Sequence, residues 1–192
     1  MLAVFAALSV IFTVLAAPPY IIDVLRRRTK PQRATWFILS VLGLIGFISQ
    51  AKIGINWSLV FLGLDTAGSI LVFLLSIPYG VGGWYLLDKY ALAVAAIGVA
   101  ISIAEDQPVI AIAGIILADL AGTALTIKKV FTHPSSETTV SWLSVGVAAV
   151  FGVLAVGKLE TQLLIWPIYL VIANFAVPLA QYAGRSRSTA KA

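Results

Sequence analysis

Long apolar runs separated by short polar stretches divide the chain into seven segments, at residues 2–24, 34–50, 56–77, 87–104, 108–128, 139–156 and 162–183. A helix needs about 20 apolar residues to cross the hydrocarbon layer of a bilayer, and these runs are near that length. Backbone groups in lipid must be satisfied within their own segment, which predicts helices. The apolar character is continuous along each run, whereas the strands of a membrane barrel alternate. The pattern therefore predicts an all-α integral membrane protein with seven transmembrane helices.

The seven segments read as three, one and three. A shift of 106 residues lays PPYIIDVLRRRTKPQRATW (18–36) on ALTIKKVFTHPSSETTVSW (124–142). Ile21 then meets Ile127, Val24 meets Val130 and Trp36 meets Trp142. Val41, Gly46 and Lys52 meet Val147, Gly152 and Lys158. The third helix of each half aligns at a shift of 109, which sets Trp57 on Trp166 and Asp65 on Asn174. Two such halves share one orientation only if an odd number of spans separates them. The fourth segment, rich in Ala and Gly, reads as that spacer, and small residues allow close helix packing. The expected organisation is two parallel three-helix bundles joined by a linker helix: 1–77, then a loop and linker at 78–106, then 107–184. The polar tail 185–192 is expected to be disordered.

Charge adds the orientation. Only 11% of the residues are charged, and mean hydropathy is +1.02, too apolar for the surface of a soluble domain. With the N-terminus outside, eleven basic residues lie on inside loops and tail: Arg26, Arg27, Arg28, Lys30, Arg33, Lys89, Lys128, Lys129, Arg185, Arg187 and Lys191. Lys52 and Lys158 alone lie outside. That asymmetry predicts a multi-pass plasma (inner) membrane protein with a cytoplasmic C-terminus. The first 17 residues look like a signal-peptide core but lack a basic start and an A-x-A site, so an uncleaved span is expected. The net charge of +5 is thus read as topology, and no nucleic acid partner is expected. Without cysteine, and with His133 as the single histidine, disulfides, thiolate metal sites and a multi-His metal site are excluded. No cofactor is expected.

Three strongly polar side chains fall near mid-membrane: Asp65, Asp119 and Asn174. A charge there costs roughly 2.5–3.5 kcal/mol on insertion scales, so such groups face a bundle interior or a water-filled path. Asp65 and Asn174 are candidates to hydrogen-bond a polar solute, the alternative being bonds to neighbouring helices. Asp119 has Thr123 one turn away as a structural partner, with a solute or proton role as the other reading. Trp57 and Trp166 each precede a polar residue by eight positions, about 12 Å along a helix. They serve either as stacking faces for a ring or as interface anchors. Trp36 and Trp142, at the inner starts of their helices, are interface anchors or parts of an inner gate. The loop RRRTKPQR reads as the topology signal, with acidic lipid headgroups as an alternative partner. GVGG at 80–83 lacks the Lys-Ser/Thr ending of a phosphate loop and reads as a flexible turn.

With these features in place, the chain resembles the SWEET and PQ-loop transporter superfamily. Pro19-Tyr20, followed by the basic loop, occupies the place of that superfamily's Pro-Gln signature. In the second half the matching place holds Leu125-Thr126, without proline. The resemblance implies hinge or gate roles for Pro18 and Pro19, with Trp36 and Trp142 beside them. It also implies a midplane pocket built from Trp57, Asp65, Trp166 and Asn174, and alternating access for a sugar or similar polar solute. Nicotinamide riboside carriers share the three-one-three layout, and non-transporting receptors share the fold, so both are kept as alternatives. An enzyme is not expected: LGLD at 62–65 lacks the Gly-x-Gly-Asp pattern of intramembrane aspartyl proteases. A retinal receptor would need a lysine deep in the last helix, where there is none. The expected partners are a small polar solute, the lipid bilayer and possible further copies of the chain.

Overall fold

The computed structural model describes residues 1–53 and 57–189, with the side chains of 49–62, 108, 162, 188 and 189 left aside. Among the described residues the chain forms seven α-helices: α1 (Leu2–Leu25), α2 (Arg33–Ile53), α3 (Trp57–Tyr79), α4 (Leu86–Ala104), α5 (Pro108–Thr132), α6 (Thr139–Val156) and α7 (Thr161–Thr189). There is no strand among them, only an isolated bridge between Gln32 and Val81. Five helices (α1, α4, α5, α6 and α7) are long and apolar enough to cross a membrane; the described apolar stretches of α2 and α3, Arg33–Ile48 and Gly63–Tyr79, are shorter. At about 1.5 Å per residue the 24 residues of α1 extend some 36 Å. Leu, Ile and Val side chains such as Leu15, Leu74, Ile97, Ile172 and Leu179 stand exposed around the bundle. That is the surface expected of helices solvated by lipid rather than water.

The helices pack in a paired pattern. Within the first half α3 lies against α1 and α2, and within the second α7 lies against α5 and α6. Between the halves α1 packs on α6 and α2 on α5, while α4 rests on α5 and touches α2. Small residues set the closest approach. A Cβ on Gly98 of α4 would stand 2.4 Å from the Gly114 carbonyl oxygen of α5, and one on Gly114 would stand 2.5 Å from the Gly98 carbonyl. The two backbones therefore touch, as small-residue membrane interfaces allow.

The α1–α2, α3–α4 and α5–α6 loops meet at one end of the bundle. The Lys30 amide donates to the Ser136 carbonyl at 2.9 Å, and the Val81 amide to the Pro31 carbonyl at 2.9 Å. Arg33 spreads its guanidinium over the frayed end of α3, donating to the carbonyls of Ser76, Ile77, Gly80 and Gly82 at 2.8–2.9 Å. The GVGG turn is held in place: Gly82 and Gly83 adopt φ of 75° and 106°, and a Cβ on Gly82 would meet Gln32 Nε2 at 2.2 Å.

Two sequence expectations are corrected here. The tail is helical through Thr189 rather than disordered from 185, because Ser186 Oγ bonds the Tyr182 carbonyl and Arg187 lies over the Phe131 ring at 5.6 Å. Residues 190–192 lie outside the described residues. α5 also runs four residues past 128, to Thr132, which carries Lys128 and Lys129 onto a helical turn. Adjacent helical residues point about 100° apart. Lys128 is accordingly exposed and Lys129 buried, so Lys129 is no member of a solvated loop.

Candidate functional site

A cavity of about 600 Å³ lies against α1, α3 and α6 and reaches Trp36 of α2 and Asn174 of α7. Pro18, Trp36, Asp65, Trp142 and Asn174 all border it, which gathers five of the residues singled out from the sequence. Most of its remaining wall is aliphatic: Val14, Ile21, Leu64, Val72 and Val145. Ser69 and Thr13 add hydroxyls, and the Thr13 hydroxyl is spent on the Ser9 carbonyl at 2.9 Å.

Besides the Ser69 hydroxyl, three polar groups on this wall are unspent among the described residues. The Asp65 side chain is exposed and its carboxylate makes no hydrogen bond or ion pair. Asn174 donates Nδ2 to the Leu170 carbonyl at 2.9 Å, one turn back on its own helix, which leaves Oδ1 without a donor. Ser141 Oγ is buried and has no partner. A buried hydroxyl left without a hydrogen bond costs about 1–3 kcal/mol. Such groups in an apolar wall provide a few fixed points that orient a polar ligand. Ser141 had no signal in the sequence beyond standing next to Trp142, and its hydroxyl is distinguished only by burial.

Toward the loops the cavity ends on an aromatic and ionic floor. Trp36 Nε1 donates to the Tyr20 hydroxyl at 3.0 Å, and the two rings lie 5.0 Å apart. Trp142 Nε1 donates to Glu137 Oε2 at 3.0 Å, and the Lys129 ammonium pairs with Oε1. Lys129 Nζ also reaches the Lys30 carbonyl at 2.5 Å. Gln181 of α7 donates Nε2 to the carbonyls of Pro134 and Glu137, at 3.0 Å each, and accepts from Thr139 Oγ1. Asp23 accepts from Thr138 Oγ1 at 3.0 Å, and Thr138 meets Thr29 at 2.6 Å. The floor thus ties α1 and its loop to α5, α6 and α7. Glu137, Lys129 and Tyr20 were not among the sequence candidates; Glu137 sits in a polar loop segment that gives no sign of burial.

The other candidates lie elsewhere. Asp119 of α5 is 5% exposed and does not border the cavity; it accepts from the Tyr169 hydroxyl of α7 at 2.5 Å and from Thr123 Oγ1 at 3.3 Å. Trp166 packs tilted against Tyr169, the donor to Asp119, with ring centres 5.6 Å apart and planes at 31°. Pro19 sits half-buried inside an unbroken α1 beside Pro18. The side chain of Trp57 lies outside the described residues, so its pairing with Asp65 is not described. No group of three His, Asp or Glu side chains suited to a metal occurs among the described residues. No family model, curated protein or solved structure matches this chain.

Proposed function

We propose that this chain is a small-solute carrier of the SWEET and PQ-loop kind, built as two parallel three-helix bundles joined by α4. The observation that carries the reading is the cavity at the α1–α3–α6 junction, where Asp65, Ser141 and Asn174 present unspent polar groups inside an apolar wall. The helix contacts support it. α3 and α7 hold corresponding places in the two halves, and so do the α1–α6 and α2–α5 pairs. In this reading the solute is small, polar and uncharged or cationic, because the one acidic or basic side chain on the described wall is the Asp65 carboxylate. Asp65 and Asn174 hold it through hydrogen bonds, and Trp36 and Trp142 bound it from the loop side. The basic loops face the cytoplasm, following the positive-inside rule. The floor of Tyr20, Trp36, Glu137, Lys129 and Trp142 is then the inner gate. Its opening requires α1 and the α5–α6 loop to part, with Pro18 and Pro19 as the place where α1 bends.

Thermal stabilisation of the detergent-purified protein is measured against a panel of sugars, nucleosides, vitamin precursors and amino acids. A ligand at 100 times its dissociation constant stabilises by about 2.7 kcal/mol when it binds only the folded state. The hit is then tested for saturable flux in liposomes. Asp65→Ala and Asn174→Ala are expected to lose both the shift and the flux. Retention of both in the two variants overturns the site, and binding without flux overturns the carrier reading in favour of a receptor.

A further inference from the structure

A second cavity, of about 710 Å³, lies where the three loops converge, on the far side of the floor from the first. We propose that it binds a phosphate-bearing anion, either a soluble phosphate ester or the headgroup of an acidic lipid. Five cationic side chains line it: Arg27, Arg28, Lys30, Lys128 and Lys129. Among the described residues, Lys129 is the one of these in an ion pair, with Glu137. The carboxylate in the wall, Asp88, is already occupied. Oδ1 accepts from Gln32 Nε2 at 2.8 Å, and Oδ2 accepts from the amides of Gly83 and Tyr85 at 2.6 and 3.0 Å. The cavity therefore holds an excess of positive charge that its own wall does not neutralise, and a concave site focuses that field.

Two further observations point to a ligand rather than to a solvated charge cluster. Ser136 borders the cavity, is 8% exposed, and its Oγ has no partner. A hydroxyl donor beside arginine and lysine is the donor set that phosphate oxygens take. The basic side chains are also presented by an ordered turn. Arg27 adopts φ of 59°, a left-handed conformation unusual for a residue with a side chain. The turn is fixed because the amides of Arg28 and Thr29 both bond the Asp23 carbonyl, at 2.8 and 3.1 Å. Strain of this kind persists where the surrounding structure overdetermines it, and it concentrates at ligand sites. The volume lies within the roughly 300–1,000 Å³ usual for small-molecule sites, large enough for more than an isolated inorganic ion.

The test is independent of the carrier reading and uses the full chain. Inorganic pyrophosphate is titrated calorimetrically into protein in neutral detergent. In parallel, melting is compared in nanodiscs of phosphatidylcholine with and without phosphatidylglycerol. The variant Arg28→Gln/Lys128→Gln removes two charges from the cavity. Arg26→Gln/Lys89→Gln removes two charges from the same end of the molecule but outside the cavity. Pyrophosphate binding that weakens about tenfold or more in the first pair and not in the second assigns a soluble phosphate ester (tenfold being about 1.4 kcal/mol). Stabilisation by phosphatidylglycerol alone, with the same dependence on the two pairs, assigns a lipid headgroup. No response in either arm overturns the proposal, and so does an equal loss in both variant pairs, since that result describes diffuse surface charge.

Discussion

Substituting Glu137 by Gln keeps the size of the side chain and removes its charge, which leaves the Lys129 ammonium without a counter-ion. The two side chains are 0% and 8% exposed, so neither charge has bulk water to fall back on. Removing one partner of a buried pair costs about 3–5 kcal/mol, because it strands the other charge. For a chain of this size each kcal/mol shifts the melting midpoint by about 2–4 °C, which gives a fall of about 6–20 °C. Intrinsic tryptophan fluorescence during heating is the assay, with Trp142, bonded to Glu137 Oε2, as a local reporter. The double variant Lys129→Met/Glu137→Leu removes both charges and is expected to recover most of the loss, since an apolar replacement of a buried pair is often neutral. A Glu137→Gln midpoint within about 2 °C of the parent would refute the buried-pair argument. A double variant as unstable as the single one would move the cost to the bond that Glu137 makes with Trp142.

Arg33→Lys is expected to lose about 1.5–3 kcal/mol, because an ammonium cannot span four carbonyls as the planar guanidinium does; hydrogen exchange at residues 80–83 should rise with it. Gly98→Leu is expected to force α4 from α5 and lower the yield of folded protein, since overpacking costs about 1–3 kcal/mol or more, and an unchanged melting profile would contradict the backbone contact at Gly114. Tyr169→Phe removes the strongest donor to Asp119 and should destabilise by about 1–3 kcal/mol while leaving solute binding intact, because Asp119 ties α5 to α7 outside the cavity. Gly68→Phe should do the opposite: nothing stands within 4 Å of a Cβ there, so the ring enters the cavity, blocking solute without a loss of melting temperature.

The helices were legible because each is a nearly continuous apolar run, and five of the seven are long and apolar enough over their described residues to cross a membrane. Their ends were less so. α5 and α7 extend beyond the apolar runs because a helix continues wherever its polar last turn can be satisfied, as Arg187 is on Phe131. Asp65 and Asn174 stood out because polar residues are scarce in these runs, and scarcity is a sequence property. Ser141, Tyr20 and Glu137 did not, since a serine, a tyrosine and a loop glutamate are ordinary until their burial is known. Asp119 shows the same limit from the other side: its chemistry is as conspicuous as that of Asp65, but Tyr169, fifty positions away, already uses it.

The 106-residue shift sets the residues of the α2–α5 contact against residues of the cavity wall. At the α2–α5 contact, Thr35 Oγ1 donates to the Gly122 carbonyl at 2.6 Å and accepts from Thr126 Oγ1 at 3.1 Å. A shift of 106 residues carries Thr35 onto Ser141, Gly122 onto Ala16 and Thr126 onto Tyr20. The first trio is closed: every hydroxyl has a partner, and a Cβ on Gly122 would already touch the Thr35 backbone at 3.4 Å. In the second trio the same positions border the cavity, and the Ser141 hydroxyl is unpaired. Two substitutions account for the difference. Alanine at 16 adds a methyl where Gly122 allows close approach, and tyrosine at 20 carries its hydroxyl away to Trp36, so nothing donates to Ser141. The choice of side chain at positions that the shift aligns thus leaves one contact closed and the other bordering a pocket. Tyr20→Thr, which copies the closed side, is the substitution that should offer Ser141 a hydroxyl donor and leave Trp36 Nε1 without its acceptor at once, and solute binding and melting temperature read the two effects together.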